Sequence, residues 1–250
     1  MATATAFDPK DLESKVKTMY RSVAENPHGE FHFEMGRGMA ERLGYSPADL
    51  DRIPAESIES FAGVGYYFHM AELRPGDIVV DLGSGSGMDT FIAALKVDAR
   101  GKVTGVDMTD EQRAKAQRLR DRDGFLNVTY LKGYIEDVPL PDNCADAVIS
   151  NGVINLATDK SKVFREAARL LRKGGRFAIA DIVTEVQLPE TIVCNSTHRT
   201  GISRQRWQWM GSGGRTSGWT ASSPPTPRSL LARSRSPSCT GSVRSRSSWC

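Results

Sequence analysis

The stretch from Ile78 to Asp89, Ile-Val-Val-Asp-Leu-Gly-Ser-Gly-Ser-Gly-Met-Asp, constrains this chain more than any other. Three β-formers run into Asp81, glycines recur at 83, 85 and 87, and helix-forming residues follow. The pattern predicts a buried strand, a tight turn and a helix start. Glycines let a backbone turn sharply and let a ligand approach where a Cβ would block it. A helix start offers free N–H groups that favour a phosphate or carboxylate. The dinucleotide fingerprint G-x-G-x-x-G/A is met at Gly83 and Gly85, but its third small position falls on Met88, too large for the close helix–strand packing required there. Asp81, two residues before the first glycine, would repel a pyrophosphate and suits the cationic amino group of an amino-acid moiety.

The chain in order supports an α/β sheet built around that loop. Residues 8–25 read as a helix with Asp8 as N-cap and Pro9 at its first position, and helices follow at Met35–Leu43 and Asp49–Ile53. Strands are expected at Ile78–Asp81, Lys102–Val106, Asn127–Leu131, Ala145–Ser150 and Arg176–Ile182. Helices are expected at Asp89–Lys96, from Thr109 (capped by a Thr109–Gln112 box), and at Asp159–Arg172, the last closed by Gly174-Gly175. Arg113, Lys115, Arg118 and Arg120 read as a solvated helix face. Strands alternating with helices imply a Rossmann-like, doubly wound parallel sheet. Asp107 lies 20 residues beyond Gly87, the separation expected for a strand-tip carboxylate that accepts both hydroxyls of a cofactor ribose. Met108 follows it and suits packing against adenine. The aromatic run 61–70 suits either a pocket wall or core, with Tyr66 and His69 as its titratable groups.

Val80-Asp-Leu-Gly-Ser-Gly-Ser-Gly87 resembles motif I of class I S-adenosylmethionine methyltransferases. Gly105-Val-Asp-Met-Thr109, Gly133-Tyr-Ile-Glu136, Ile149-Ser-Asn-Gly-Val-Ile-Asn-Leu156 and Asp181-Ile-Val-Thr184 extend that resemblance to the arsenite methyltransferase-like branch. The resemblance implies S-adenosylmethionine as cofactor and a methyl acceptor that is a small molecule. It places Asp81, Gly83, Ser84, Gly85, Gly87, Asp107 and Met108 on the cofactor, Ile135 and Glu136 at the adenine, and Asn151 near the methionine end. His69, Tyr66 and Asn151 are the candidates for contact with the reaction. Arsenite methyltransferases hold arsenic with cysteine thiolates, a soft ligand for a soft ion. One such cysteine falls between two glycines, where this chain has Gly63-Val64-Gly65. Another follows the Ser-Asn of the fourth strand, where it has Gly152, and a third, downstream of about residue 197, has no counterpart.

Composition divides the chain. Nine of its 33 basic residues, all arginine, follow His198 in a segment without Asp, Glu or Lys, so residues 1–197 carry 24 basic against 30 acidic side chains. The net charge of +3 is therefore no argument for nucleic-acid binding by the body. All four tryptophans and 13 serines between 203 and 248 lie in that Arg/Ser-rich ending. It shows no hydrophobic period and is expected to be disordered, lacking the two final strands of the family's sheet, as a shifted reading frame would produce. The expected division is a helical cap over 1–72, a cofactor-binding domain over 73–196 and a tail over 197–250. No apolar run is long enough to span a membrane, no secretory signal is evident, and the four scattered cysteines have no zinc-ligand spacing, so a cytoplasmic protein without a metal is expected. Two alternatives to a small-molecule methyltransferase stay open: a cofactor-binding but catalytically defective remnant, and an RNA methyltransferase using the basic tail.

Overall fold

The computed structural model describes residues 9–31, 33–182 and 210–211. Chain contacts divide the protein into two units, Met1–Gly214 and Arg215–Cys250, and every described residue lies in the first. The N-cap expected at Asp8 and nearly all of the tail, with its expected disorder, lie outside the described residues.

Five strands form the parallel part of the sheet: β1 (Ile78–Leu82), β2 (Lys102–Asp107), β3 (Val128–Lys132), β4 (Ala145–Asn151) and β5 (Leu171–Ala180). Their order is β3-β2-β1-β4-β5, so the chain winds outward from β1 in one direction and then returns to its other side. Crossovers of one hand then require helices on opposite faces. The burial agrees. Val79, Val103, Val128 and Ala147 share one core with α6 (Met88–Val97) and with Ala116 and Leu119 of α7 (Asp110–Asp123). Val80, Leu82, Val106 and Val148 share the other with Val163, Ala167 and Leu170 of α8 (Lys160–Leu170). Neighbouring residues of β1 thus enter different cores, as the two-residue period of a strand demands. Strand pairs buried on both faces read as continuous apolar runs, which is why β1 and β4 were legible.

Before the sheet come α1 (Pro9–Glu25), α2 (Arg37–Leu43), α3 (Pro47–Leu50), α4 (Ala55–Glu59) and α5 (Phe68–Ala71). The last two are additional to the expected helices. Tyr45, Leu50, Ile58, Tyr67 and Phe68 from this region join the core on the α6 face.

Four expectations need correction. Gly174 and Gly175 do not close α8: Leu171 already has extended backbone (φ −74°, ψ 135°), and both glycines lie inside β5 beside a register shift between Ala145 and Ala147. The bulge uses the positive φ of Gly174, which only glycine adopts freely. Thr109 does cap α7 by position, but its side chain makes no cap hydrogen bond. Lys115 is buried rather than solvated, its Nζ donating to Ser60 Oγ at 2.6 Å, because α7 packs against α4 and α1 instead of facing water. Finally, the tail contributes a strand, β6 (Met210–Gly211), antiparallel to β5 through Phe177 and Arg176. Two residues are too few for any hydrophobic period to announce.

Candidate functional site

A cavity of about 1160 Å³, its open mouth included, lies at the C-terminal ends of β1, β2 and β4, where the order of the sheet reverses. Open α/β sheets bind ligands at this position because diverging loops leave a crevice there. Its floor is the loop from Gly83 to Gly87. Gly83 (φ +74°) passes so close to Val153 that a Cβ would lie 2.5 Å from that side chain. Gly87 (φ +94°) starts α6, and a Cβ there would lie 2.1 Å from Tyr130 Oη. Both close approaches and both backbone angles require glycine. Ser84 lines the cavity through this loop, its buried hydroxyl turned toward Gly105 without a hydrogen-bond partner.

Asp107, at the tip of β2, accepts hydrogen bonds from Gly85 N (2.9 Å, Oδ2) and Thr109 N (2.8 Å, Oδ1). These contacts fix the carboxylate and leave lone pairs on both oxygens toward the cavity, the requirement for holding a pair of hydroxyls. Burial raises its pKa, and the two backbone donors oppose that. Gln112 does not cap α7: its side chain reaches back to accept from Ser86 Oγ and to donate to Tyr20 O at 2.9 Å, joining the glycine loop to α1. Met108, Ile135 and Glu136 also line the cavity.

At the other end Asp81 is 2% exposed and accepts from Thr90 Oγ1 at 2.6 Å. Asn151, at the tip of β4, joins three elements. Its Oδ1 accepts from Val64 N (2.8 Å), and its Nδ2 faces Gly65 O (3.0 Å), Tyr45 Oη (3.1 Å) and Asp89 Oδ2 (2.9 Å). Asp89 also accepts from Tyr45 Oη at 2.6 Å and Tyr67 Oη at 3.0 Å.

All nine of the loop, strand-tip and adenine-end residues expected on the cofactor line this one cavity, as does Asn151. Tyr66 and His69 do not line it. Tyr66 packs edge-on to Tyr45 (5.0 Å), and His69 stacks on Tyr66 (5.9 Å) at the exposed side, because α5 turns Tyr67 and Phe68 inward instead. Sequence reasoning missed Asp89, Tyr45 and Tyr67. An acid in the first turn of the otherwise apolar helix Met88–Val97 was a usable signal for Asp89, whereas nothing local to Tyr45 points to a residue 44 positions away.

Burial, and next the neighbouring charge of Asp89, push the Asp81 pKa up to about 8, against the hydrogen bond from Thr90. Below that value the folded protein holds a proton that the unfolded chain, near 3.8, releases. Stability of the unliganded protein is therefore expected to fall as pH rises from about 4 to about 8. A cation bound beside Asp81 favours its ionised form, so binding at pH 7 should expel close to one proton and tighten by up to about tenfold per pH unit between pH 6 and 7.5. Calorimetry in two buffers of different ionisation enthalpy measures that proton; none released would leave Asp81 protonated beneath the ligand.

Comparison with known proteins decides which ligand this geometry serves. A family model described as a methyltransferase domain matches residues 73–214. The chain belongs to the methyltransferase-domain family. It is 40% identical over 162 residues to the arsenite methyltransferase of Halobacterium salinarum, covering 65% of this chain and 41% of that protein. Over 127 residues it is 46% identical to that of Aquipseudomonas alcaligenes, covering 48% of this chain and 37% of the relative. The chain thus spans about two fifths of the length of these curated relatives. The crystal structure of an arsenic(III) S-adenosylmethionine methyltransferase from Chlamydomonas reinhardtii matches 58% of this chain and 51% of its own at a TM-score of 0.53 and 39% identity. Membership implies S-adenosylmethionine as the cofactor, and the cavity fits it: a glycine cradle, a paired-hydroxyl acceptor at one end and buried carboxylates for cationic groups at the other. Among the described residues no group of side chains is arranged to hold a metal, and no helix is long and apolar enough to cross a membrane.

Proposed function

We propose that the protein is an S-adenosylmethionine-dependent methyltransferase acting on a small-molecule acceptor that is not held by thiolates. The observation that supports the cofactor half most directly is Asp107, fixed by Gly85 N and Thr109 N at the edge of the glycine cradle. The bound cofactor supplies a methyl group on a sulfonium, which transfers by in-line displacement. The protein's part is alignment and exclusion of water, with Asn151 tying the Val64–Gly65 segment to β4 so that the wall beside the methionine end stays in register.

The acceptor half of the reading comes from Val64 and Gly152. A Cβ on Gly152 would lie 3.2 Å from Val64 Cγ1, so the two positions where the resemblance places cysteines face one another here and offer no sulfur. Cys144, the free cysteine among the described residues, packs instead with the α8-side core. Among the described residues this wall offers a soft, thiophilic ion no sulfur, whereas an acceptor with an apolar body meets Val64 there. An RNA acceptor is disfavoured by the same cavity, which presents carboxylates and no basic side chain among its described lining.

Calorimetry of the full chain with S-adenosylmethionine and, separately, with NAD tests the cofactor half. Micromolar binding of the first and none of the second is expected; tight NAD binding alone would overturn the reading. Turnover with arsenite comparable to that with uncharged organic acceptors would overturn the acceptor half.

A further inference from the structure

The cavity is charged in one sense. Glu13, Asp81, Asp89, Asp107 and Glu136 line it, and no lysine, arginine or histidine does among the described residues. The amino-acid moiety of the cofactor is a zwitterion, so its amino group meets acidic partners while its carboxylate meets no basic one in that lining. A carboxylate taken out of water without a partner is costly. A cation stands one layer back. Lys115 is the one basic side chain buried among the described residues, 6% exposed, and its Nζ donates to Ser60 Oγ at 2.6 Å. Ser60 itself lines the cavity. Because its oxygen accepts from the ammonium, its proton points elsewhere, and the acceptor it meets in the protein, Val23 O, lies at a long 3.4 Å. The hydroxyl is therefore a donor backed by a full charge and weakly engaged within the protein.

The place of this pair follows from α7. Gln112 and Lys115 are one turn apart on its buried face; Gln112 accepts from Ser86 Oγ of the glycine loop, and Lys115 reaches Ser60. Adjacent turns of one helix face thus hold the glycine loop and Ser60. Burial lowers the Lys115 pKa; the charges of Glu59 and Glu56 oppose this and that of Arg118 adds to it. Glu56 is itself committed to Arg122. We infer that Ser60 and Lys115 form the subsite for the carboxylate of the cofactor's amino-acid moiety, Ser60 donating to it and Lys115 acting through Ser60 as a positioning residue that supplies the opposing charge. The inference rests on the cofactor reading above and goes beyond it.

The test is calorimetry of the full chain, without acceptor and at low salt, with S-adenosylmethionine and its decarboxylated form. The two share adenosine, sulfonium and amine, and the second carries one more net positive charge. An acidic cavity without a carboxylate subsite would favour the more cationic, decarboxylated form. With the subsite, S-adenosylmethionine is expected to bind at least about tenfold more tightly. Lys115→Met, close in length, should bring the ratio to about one or below by weakening S-adenosylmethionine, while the affinity for the decarboxylated form changes by less than about threefold. Ser60→Ala should lower the ratio in the same way. Arg118→Gln removes a charge from the exposed face of the same helix and should keep it. Equal or tighter binding of the decarboxylated form by the unaltered protein overturns the inference whether or not the variants fold. A preference that survives both Lys115→Met and Ser60→Ala overturns the assignment to this pair. Failure of both probes to bind would instead remove the cofactor reading itself.

Discussion

Asp107→Ala is expected to weaken S-adenosylmethionine binding by about 100-fold, the largest effect of any single side chain in the site. Two contributions add. A carboxylate accepting hydroxyl hydrogen bonds is worth about 1.5–3 kcal/mol in a partly desolvated site, and about 1.4 kcal/mol is tenfold in affinity. The carboxylate also accepts from Gly85 N and Thr109 N, so its loss frees the glycine loop and the start of α7 together. Asp107→Asn separates them in part: its one carbonyl oxygen accepts from Gly85 N or from Thr109 N but not from both, so one of the two backbone tethers survives while the charge is removed. Calorimetric titration of both variants measures the difference, and an affinity for the Ala variant within about threefold of the original would take Asp107 out of the site.

Gly87→Ala is expected to cost about 3 kcal/mol of stability and about 10 °C in Tm, the largest effect on folding from one methyl group. The residue stands at φ +94° and ψ 13°, a left-handed conformation that costs an alanine about 1 kcal/mol. The added Cβ would then lie 2.1 Å from Tyr130 Oη and 3.0 Å from Phe91 Cε2. Tyr130 and Phe91 are 3% and 0% exposed and meet edge-to-face at 6.0 Å, so neither ring has room to withdraw. Tyr130→Phe removes the oxygen in the closest contact. The double variant should therefore recover about half of the lost stability in thermal or denaturant unfolding. No recovery would locate the whole cost in the backbone conformation.

The site is acidic, and α1 forms part of its wall. Val16 and Tyr20 of α1 line the cavity, and Lys17 bonds two further lining residues, Glu13 (2.6 Å) and Tyr134 Oη (2.8 Å). These contacts are partly exposed, so each contributes less than about 1 kcal/mol. The helix is held over the cavity by apolar packing more than by its ion pairs, Val16 and Val23 being 1% and 0% exposed.

What the sequence determined by itself was the central motif and its periodicities. The apolar runs before Asp81 and before Asn151 could only be strands buried on both faces, and the glycine spacing after Asp81 could only be a turn. The 20-residue step from Gly87 to Asp107 is the length of one helix and one strand, so it places a second carboxylate beside the first loop. These are local facts, fixed by the 2-residue and 3.6-residue repeats of the backbone. The tertiary structure alone decided which groups face one another. Asp89 draws its partners from Tyr45, Tyr67 and Asn151, up to 62 residues away, and Lys115 is buried by helices that precede the sheet. Gln112 fits a local cap by sequence yet spends its side chain on Ser86 and Tyr20. Hydrogen-bond satisfaction in a buried site goes to whichever partner packing brings within reach, and that choice leaves no trace in a residue's neighbours along the chain.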